Sequence, residues 1–355
     1  MKWTTLAQLA FLPTLAQFAT GFDEVQAGYH VIFSYPGLEP PSYLLQLIEQ
    51  GKVGGIILFG ENIDDNVADI VQNFQDTYAN SPAYNGYPLL IMTDQEGGQV
   101  NRLPGGPELS AKDVGNSSDP NSAATQAGKK TGDILSSAHV NSNLAPVLGV
   151  YRQAGDFLDQ YGRSFGDNAD LVSKCATTWF TAQKSTGVVA TAKHYPGLGL
   201  AGAEENTDIR PVTINAPLST LRNVDEAPYH EAISSGIDMV MASWAVYPSM
   251  DSKNPAGLSS AWIQEELRGR LQFKGVTVTD AIEAGALEDF GNDENRGLLA
   301  TQAGMDLILA SGRNVTQGEV IVNKLVASVD DGSVSRESFD AATDRILNLR
   351  KKVQT

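Results

Sequence analysis

The sequence is poor in cysteine. Its 355 residues include one cysteine, Cys175, so an internal disulfide bond is excluded. Cys175 lies among apolar residues at helical spacing, including Val172 and Trp179, and this spacing predicts a buried thiol. A chain of this length can fold without disulfide bonds, so their absence does not exclude secretion.

Basic residues are scarce relative to acidic ones. The chain has 25 lysines and arginines against 42 aspartates and glutamates, and its formal net charge is -17. Nucleic acids and anionic membranes bind basic surfaces, so we expect neither as a partner. The four histidines and the cysteine form no cluster with acidic residues at metal-ligand spacing, and we expect no metal and no other cofactor.

Long apolar runs are missing beyond the N-terminus. No stretch there approaches the ~18 uninterrupted apolar residues that a membrane-spanning helix needs. Residues 1–20 differ, because Lys2 is followed by an apolar run through Leu12 and by small residues near Ala16 and Ala19. This pattern predicts a secretory signal peptide. An amphipathic first helix outside the main fold is the alternative.

Eight short apolar segments are spaced along the rest of the chain. Each is too short for a helix and is continuously apolar, as expected for strands of a parallel sheet that is covered on both faces. The predicted strands are residues 30–35, 55–59, 89–93, 143–147, 188–192, 239–243, 276–279 and 306–310.

Amphipathic segments separate most of these strands. Strand and helix alternating eight times predicts an α/β fold, a (β/α)8 TIM-type barrel. No linker, internal repeat or low-complexity segment divides residues 21–355, so they are predicted to form a single domain. The predicted helices include residues 67–78, 123–136, 170–184, 224–234 and 261–271, with a closing helix over 338–349.

Polar residues directly follow several predicted strands. Asp94 follows the third strand, Lys193 and His194 follow the fifth, and Asp280 follows the seventh. Because the C-terminal ends of barrel strands converge on one face, we expect these side chains to share a pocket.

Asp280 lies in a segment of small residues, GVTVTDAIEAGA over 275–286. A carboxylate with open space around it suits nucleophilic attack on an electrophilic carbon. Aspartate is also a favoured helix N-cap, so a cap for the following helix is the alternative.

A second polar cluster is DQEGGQVNR over 94–102. Its paired glycines allow a tight turn, so that Asp94 and Arg102 can both point into a pocket and bind hydroxyl groups. Neighbouring carboxylates are costly to bury unpaired, and we expect Asp94 or Glu96 to pair with Arg102. A surface ion pair between Arg102 and Glu96 is the alternative.

These clusters and three further segments resemble glycoside hydrolase family 3, in its single-domain β-N-acetylglucosaminidase branch. The resemblance extends from about residue 27 to about residue 350 and rests on the order of the segments rather than on any one of them. They are GGIILF over 54–59 with Asn62 and Ile63, residues 94–102, YGRSFG over 161–166, KHYPG over 193–197 and the segment around Asp280.

This resemblance implies a retaining hydrolase that releases terminal nonreducing β-linked N-acetylglucosamine from oligosaccharides such as chitin or peptidoglycan fragments. Asp280 matches the nucleophile that forms a covalent glycosyl-enzyme intermediate. The alternative for His194 is a structural role, as a buried histidine whose ring nitrogens are hydrogen-bonded within the core. The positions that match sugar-binding residues are Asp94, Arg102, Arg163, Lys193 and His194.

The chain departs from this branch in the loop after KHYPG. Relatives carry a triplet of aspartate, serine and histidine there, and the histidine is the general acid/base. Residues 198–208 read LGLAGAEENTD and contain no histidine. Carboxylic acids serve as the acid in other glycosidases, and an apolar loop can raise their pKa. Counting along the loop favours Glu205, then Glu204, then Asp208; a solvated acidic loop is the alternative.

The retained nucleophile and sugar contacts favour an active enzyme over a catalytically inactive carbohydrate-binding relative. A β-glucosidase or β-xylosidase of the same family is a further alternative, although these usually take their acid from a second domain that the sequence does not show. Asn116 and Asn314 begin sequons that would be glycosylated on a eukaryotic secretory route.

Cleavage of the predicted signal peptide has a direct test. Mature protein recovered from culture medium should begin near Thr20 or Gly21. N-terminal sequencing measures this, and secreted protein that still starts at Met1 would contradict the prediction.

Overall fold

The eight predicted strands are present in the structure, a computed structural model that describes residues 19–353. They form one closed parallel barrel, in which each strand pairs with its neighbours along the chain and the eighth pairs with the first. The predicted (β/α)8 barrel is therefore confirmed. The strands are β1 (Val31–Phe33), β2 (Gly55–Ile57), β3 (Leu90–Thr93), β4 (Ser142–Asn143), β5 (Val189–Tyr195), β6 (Met239–Ala242), β7 (Val276–Ala281) and β8 (Leu307–Leu309).

Helices surround the barrel, and two antiparallel hairpins follow β3 and β6. The hairpins pair Gln95–Gly97 with Val100–Asn101 and Val246–Tyr247 with Asp251–Pro255. The longer helices are Ala19–Gly28, Ser42–Glu49, Val67–Ala79, Pro120–Ser137, Ala169–Lys184, Ala227–Ser234, Asp293–Ala303, Val315–Asp330 and Arg336–Arg350, together with the π-helix Ala261–Arg270. Shorter helical segments are Gly60–Asn62, Ala111–Gly115, Phe157–Gln160, Leu218–Thr220, Leu221–Asp225, Ala256–Leu258 and Gly285–Phe290.

Most of the predicted signal peptide, residues 1–18, lies outside the described residues. Within residues 19–353, no helix combines the length and apolar character that crossing a membrane requires. Cys175 is a buried free thiol on the helix Ala169–Lys184, as its spacing predicts.

Two strands extend further than their apolar runs predict. Lys193 and His194 lie inside β5, and Asp280 lies inside β7, rather than after these strands. The register of β5 against β6 shifts between Lys193 and Tyr195. Consecutive residues of a regular strand point to opposite faces, so this irregularity is consistent with Lys193 and His194 facing the same cavity.

Other boundaries differ because of proline. The regular pairing of β4 stops at Asn143, before Pro146, which has no amide hydrogen to donate. The helix predicted over 224–234 is divided into Leu221–Asp225 and Ala227–Ser234, and Pro228 lies in the first turn of the second segment.

The helices Pro120–Ser137 and Ala169–Lys184 pack closely at a glycine. A Cβ atom on Gly128 would lie 2.0 Å from the carbonyl oxygen of Trp179. Trp179 itself is buried. The approach of these two helices therefore depends on the missing side chain.

Gly128→Ala should destabilise the protein. Alanine favours the helix by about 1 kcal/mol, but a methyl group against a backbone oxygen forces the two helices apart. We expect a net loss of about 1–3 kcal/mol in the free energy of unfolding, measured by chemical denaturation. Gly60→Ala is the control, because no atom lies within 4 Å of the added Cβ. An unchanged Gly128→Ala stability would show that the helices adjust without cost.

Candidate active site

Charged side chains line a cavity at the C-terminal ends of the barrel strands. Its volume is about 420 Å³. In TIM barrels this end carries the active site. The ionisable residues in its lining are Asp94, Glu96, Arg102, Arg163, Lys193, His194, Asp208, Asp280, Glu283 and Arg313.

A buried ion network forms one wall of the cavity. The Lys193 ammonium lies 2.7 Å from Asp94 Oδ1 and 2.7 Å from Glu96 Oε1. Arg163 donates two hydrogen bonds to Glu96, from Nε at 2.9 Å and from Nη2 at 2.8 Å. Glu96 and Lys193 are buried. The bidentate pair and the bridging ammonium hold four side chains from three segments in one arrangement.

The same network sets the charges of its members. Burial alone would raise the pKa of Glu96, but the charges of Arg163 and Lys193 outweigh it and hold that pKa well below its usual range. Burial would lower the pKa of Lys193, and the charges of Asp94 and Glu96 raise it instead. These side chains therefore stay ionised near neutral pH.

Arg102 pairs with Asp94 rather than with Glu96. Its Nη2 lies 3.8 Å from Asp94 Oδ2, and it is partly exposed. The Arg102 amide donates to Gln95 Oε1 at 2.9 Å. Gly97 and Gly98 turn the intervening hairpin with φ of 104° and 57°, values that glycine adopts readily. Of the two pairings left open by the sequence, the structure shows the one with Asp94.

Asp280 reaches the cavity from the end of β7. Its Oδ1 accepts a hydrogen bond from the Ala281 amide at 2.8 Å. The next helical segment, Gly285–Phe290, has Ala284 at its N-cap, so Asp280 is not the cap of a following helix. Burial raises the pKa of Asp280 to about 7, and the charge of Asp208 contributes in the same direction.

His194 lies beside Asp280. Its Nε2 is 3.8 Å from Asp280 Oδ2, and its buried Nδ1 has no hydrogen-bond partner among the described residues. Burial, together with the charges of Arg163 and Lys193, lowers the pKa of His194 well below its usual value. The imidazole is therefore neutral, and it is not a fully satisfied core histidine.

The loop after β5 separates the three candidate acids. Glu205 accepts a hydrogen bond from the Gly202 amide at 2.7 Å, within the loop, and Glu204 is exposed. Neither lines the cavity, whereas Asp208 does. Thus the structure brings Asp94, Arg102, Arg163, Lys193, His194 and Asp280 together with Asp208, and it leaves Glu204 and Glu205 outside that group.

Two charged residues of the cavity are absent from the sequence-based set. Glu283 accepts a hydrogen bond from Ser311 Oγ at 2.7 Å, and Arg313 stacks on Phe59 with its guanidinium carbon 4.0 Å from the ring centre. Ser311 directly follows the predicted eighth strand, over 306–310, and Arg313 lies two residues further on. The rule that located Asp94 and Asp280, a polar residue after a strand, would have pointed to this segment and so to Arg313. Glu283 lies three residues after Asp280, and this rule does not find it.

Carboxylates facing a cavity at this end of a (β/α)8 barrel are an arrangement that glycosidases use. A family model described as the glycosyl hydrolase family 3 N-terminal domain matches residues 32–349. The chain belongs to glycoside hydrolase family 3 and is a glycosidase, an enzyme class that acts on glycans.

Three similar proteins illustrate this membership. The chain is 51% identical over 354 residues, 99% of each chain, to an Arthroderma benhamiae protein described as an uncharacterized secreted glycosyl hydrolase. The structure of a family 3 β-N-acetylglucosaminidase from Paenibacillus sp. is 33% identical with a TM-score of 0.85, and the match covers 93% of this chain and 62% of that one. A β-N-acetylhexosaminidase from Beutenbergia cavernae is 28% identical with a TM-score of 0.83, and the match covers 93% and 98% of the two chains.

Glu96→Gln should destabilise the protein by removing the charge that lies between two buried cations. Loss of one partner from a buried pair costs about 3–5 kcal/mol in the free energy of unfolding. Because the folded pKa of Glu96 is lowered, its stabilising effect is complete above the unfolded pKa of about 4.3 and is lost as the pH falls below that value. Chemical denaturation at pH 7 and at pH ~3 measures this: the difference in the free energy of unfolding between wild type and variant should be smaller at the acidic pH.

The control for this prediction is Glu108→Gln. Glu108 pairs with Lys130 on the surface at 2.6 Å, and its side chain is 75% exposed. Its removal should leave the unfolding curve unchanged, because exposed pairs contribute little. Equal effects of the two substitutions would contradict a stabilising role for the Glu96 network.

Proposed function

We propose that this protein is a retaining β-N-acetylglucosaminidase that releases terminal nonreducing β-linked N-acetylglucosamine from oligosaccharides. The observation that carries this proposal is the largely buried Asp280 carboxylate, which lies in a cavity lined also by Asp94, Arg163 and Lys193. Similarity to the Paenibacillus and Beutenbergia enzymes supports the substrate class. Fragments of chitin or peptidoglycan expose this sugar and are the proposed substrates.

In the proposed reaction Asp280 is the nucleophile. An ionised Asp280 oxygen attacks the anomeric carbon, and the glycosidic bond breaks to leave a covalent glycosyl-enzyme intermediate. Water then attacks the same carbon and returns the carboxylate. Two inversions give overall retention of configuration. Lys193 favours the ionised nucleophile because its positive charge lowers the pKa of Asp280 against the effect of burial.

The proposed sugar-binding residues lie around this nucleophile. Asp94 can accept hydrogen bonds from two adjacent hydroxyl groups, while Arg102 and Lys193 can donate to them. Lys193 and Arg163 are already held by Glu96, so they need little rearrangement when the sugar binds. The neutral His194 offers a donor or an acceptor close to Asp280.

We also propose that the enzyme acts outside the cell. The N-terminal 20 residues have the pattern of a signal peptide, and the Arthroderma relative is described as secreted. The sequons at Asn116 and Asn314 lie on exposed residues, which is compatible with glycosylation along that route.

A panel of nitrophenyl β-glycosides tests the substrate and the nucleophile together. The N-acetylglucosaminide should be preferred over the glucoside and the xyloside by roughly 100-fold or more in kcat/KM, because a site that binds the acetamido group loses those contacts with the other sugars. Asp280→Asn should lower turnover by several orders of magnitude, because the neutral amide is a poor nucleophile. Asp289→Asn, an exposed change in the next helical segment, is the matched control.

Each part of this proposal has its own contradicting result. Preference for the glucoside or xyloside would overturn the substrate assignment. A folded Asp280→Asn variant with more than about a tenth of wild-type turnover would overturn the nucleophile assignment. A wild-type protein that binds N-acetylglucosamine oligosaccharides without cleaving them would be a binding protein rather than the proposed enzyme.

A further inference from the structure

Most carboxylates of the cavity are occupied by strong hydrogen-bond donors. Asp94 and Glu96 share the Lys193 ammonium, and Glu96 also receives the Arg163 guanidinium. The charges of Arg163 and Lys193 keep Glu96 ionised. The Asp94 oxygens face two cations, Lys193 at 2.7 Å and Arg102 at 3.8 Å. These two residues are therefore unsuited to serve as a general acid.

Glu283 is also held in place. It accepts hydrogen bonds from the hydroxyl and the amide of Ser311, at 2.7 and 3.3 Å, and from Gln317 Nε2 at 3.2 Å. Three donors to one carboxylate occupy its oxygens and fix its orientation. Glu283 is therefore suited to positioning the segment around Ser311 rather than to proton transfer.

Asp208 is the remaining acid. Within residues 19–353, its carboxylate is the one in the cavity lining whose oxygens accept no hydrogen bond and join no ion pair. Its backbone amide donates to Asn206 Oδ1 at 2.9 Å, so the residue is fixed through the main chain while the carboxyl group stays available.

The main chain also fixes Asp208 relative to the nucleophile. The Gly285 amide donates to the Asp208 carbonyl at 2.9 Å, and the Ala286 amide donates to the Thr207 carbonyl at 3.0 Å. A Cβ on Gly285 would lie 2.2 Å from the carbonyl oxygen of Ile209, so the two segments touch. These contacts join the loop to the segment Gly285–Phe290, which begins five residues after Asp280.

We propose that Asp208 is the general acid/base of this enzyme. The inference rests on the proposed glycosidase function, with Asp280 as nucleophile. It assigns to a carboxylate on the loop after β5 the proton transfer that a histidine performs in relatives.

Each step is balanced by this pair. In the first, Asp280 forms a bond to the anomeric carbon, the glycosidic bond breaks with its electron pair going to the leaving oxygen, and that oxygen takes the Asp208 proton. In the second, Asp208 takes a proton from water as the water oxygen bonds to the anomeric carbon. The bond to Asp280 breaks, and its electron pair restores the Asp280 carboxylate.

The electrostatics of the cavity support sharing of one proton between the two acids. Asp208 is an exposed residue, but the protein around its carboxyl group displaces water, and this desolvation raises the pKa of Asp208. The charge of Asp94 acts in the same direction, and the charges of Arg163 and Lys193 oppose it. The charge of Asp208 in turn raises the pKa of Asp280. Two carboxylates that influence each other in this way titrate as a pair, with one proton held over an intermediate pH range. A bound glycoside, with its leaving oxygen at Asp208 and its anomeric carbon at Asp280, favours the arrangement in which Asp208 carries that proton.

The test compares Asp208→Asn with Glu205→Gln and Glu204→Gln, which remove acids of the same loop outside the cavity. The substrates are a β-linked N-acetylglucosamine disaccharide and a dinitrophenyl β-N-acetylglucosaminide, whose leaving group needs no protonation. Asp208→Asn should lower kcat/KM for the disaccharide by about 10²–10⁴-fold and affect kcat/KM for the aryl glycoside far less. Azide should restore turnover of the aryl glycoside and yield the β-glycosyl azide, because this anion needs no base. The two glutamate variants should match wild type.

The pH profile gives a second readout. A wild-type profile of kcat/KM for the disaccharide should be bell-shaped, with its alkaline limb reporting a protonated acid. Asp208→Asn should lose the alkaline limb. Its acidic limb should stay close to that of wild type, because Asp208 is protonated and neutral when Asp280 first ionises, and asparagine is neutral as well.

The outcomes separate this inference from the function on which it rests. A wild-type protein without glycosidase activity would overturn the proposed function itself. The role of Asp208 alone would be overturned if wild type is active and the Asp208→Asn variant cleaves both substrates as fast as wild type does. Absence of azide rescue in that variant would overturn it as well. Selective loss and azide rescue in Glu205→Gln or Glu204→Gln would move the role to that glutamate and also overturn it.

Discussion

The cavity depends on one interaction, the buried Lys193 ammonium between Asp94 and Glu96. Two carboxylates at 2.7 Å from one cation would repel each other without it, and Arg163 completes the compensation from a separate loop. Burying ions costs several kcal/mol each, and only close, well-directed pairing offsets that cost. Removing any one member of the network would therefore leave a buried charge without its partner. It ties the end of β3, the end of β5 and the segment around Arg163 into a rigid wall against which a sugar can be positioned.

Asp280 and Asp208 line the cavity but lie outside this ion network. Asp280 accepts one hydrogen bond, from the neighbouring Ala281 amide, and the His194 imidazole beside it is neutral. Neither of these two groups carries a positive charge that would balance the Asp280 carboxylate. Lys193 lowers the pKa of Asp280, but burial and Asp208 outweigh this effect and raise it to about 7. The same cavity thus holds Glu96 firmly ionised and Asp280 with a pKa near neutral pH. Glycosidases require this division, because one acid must bind or attack while another exchanges a proton.

The spacing of apolar runs in the sequence predicted the barrel and the strand-end residues of the site. The remaining features of the site depend on contacts between residues far apart in the sequence, which that spacing does not show. Asp94, Lys193 and Asp280 could be located from sequence because each lies at the end of an apolar run, and the geometry of a parallel barrel brings strand ends together. The partner of Glu96 could not be read in this way, because Arg163 is 67 residues away on an irregular loop. The sequence also could not decide which of Glu204, Glu205 and Asp208 reaches the cavity, again because distant residues fix the loop. Hydrogen bonds from the Gly285 and Ala286 amides hold the loop at Asp208 and Thr207. Counting positions along the loop, by contrast, places Glu205 first.

In the proposed reaction, a carboxylate acid and a histidine acid would leave different charges beside the ion network. With Asp208 as the acid, the two carboxyl groups together carry one negative charge, which is on Asp280 before the first step and on Asp208 after it; the second step returns it to Asp280. With a histidinium as the acid the pair would be neutral throughout, because its positive charge and the charge of Asp280 are lost together. The positive charge of Lys193 lowers the pKa of both Asp208 and Asp280, so it stabilises the negative charge at either position. A rigid network that contains Lys193 can therefore serve both steps of the proposed reaction without moving.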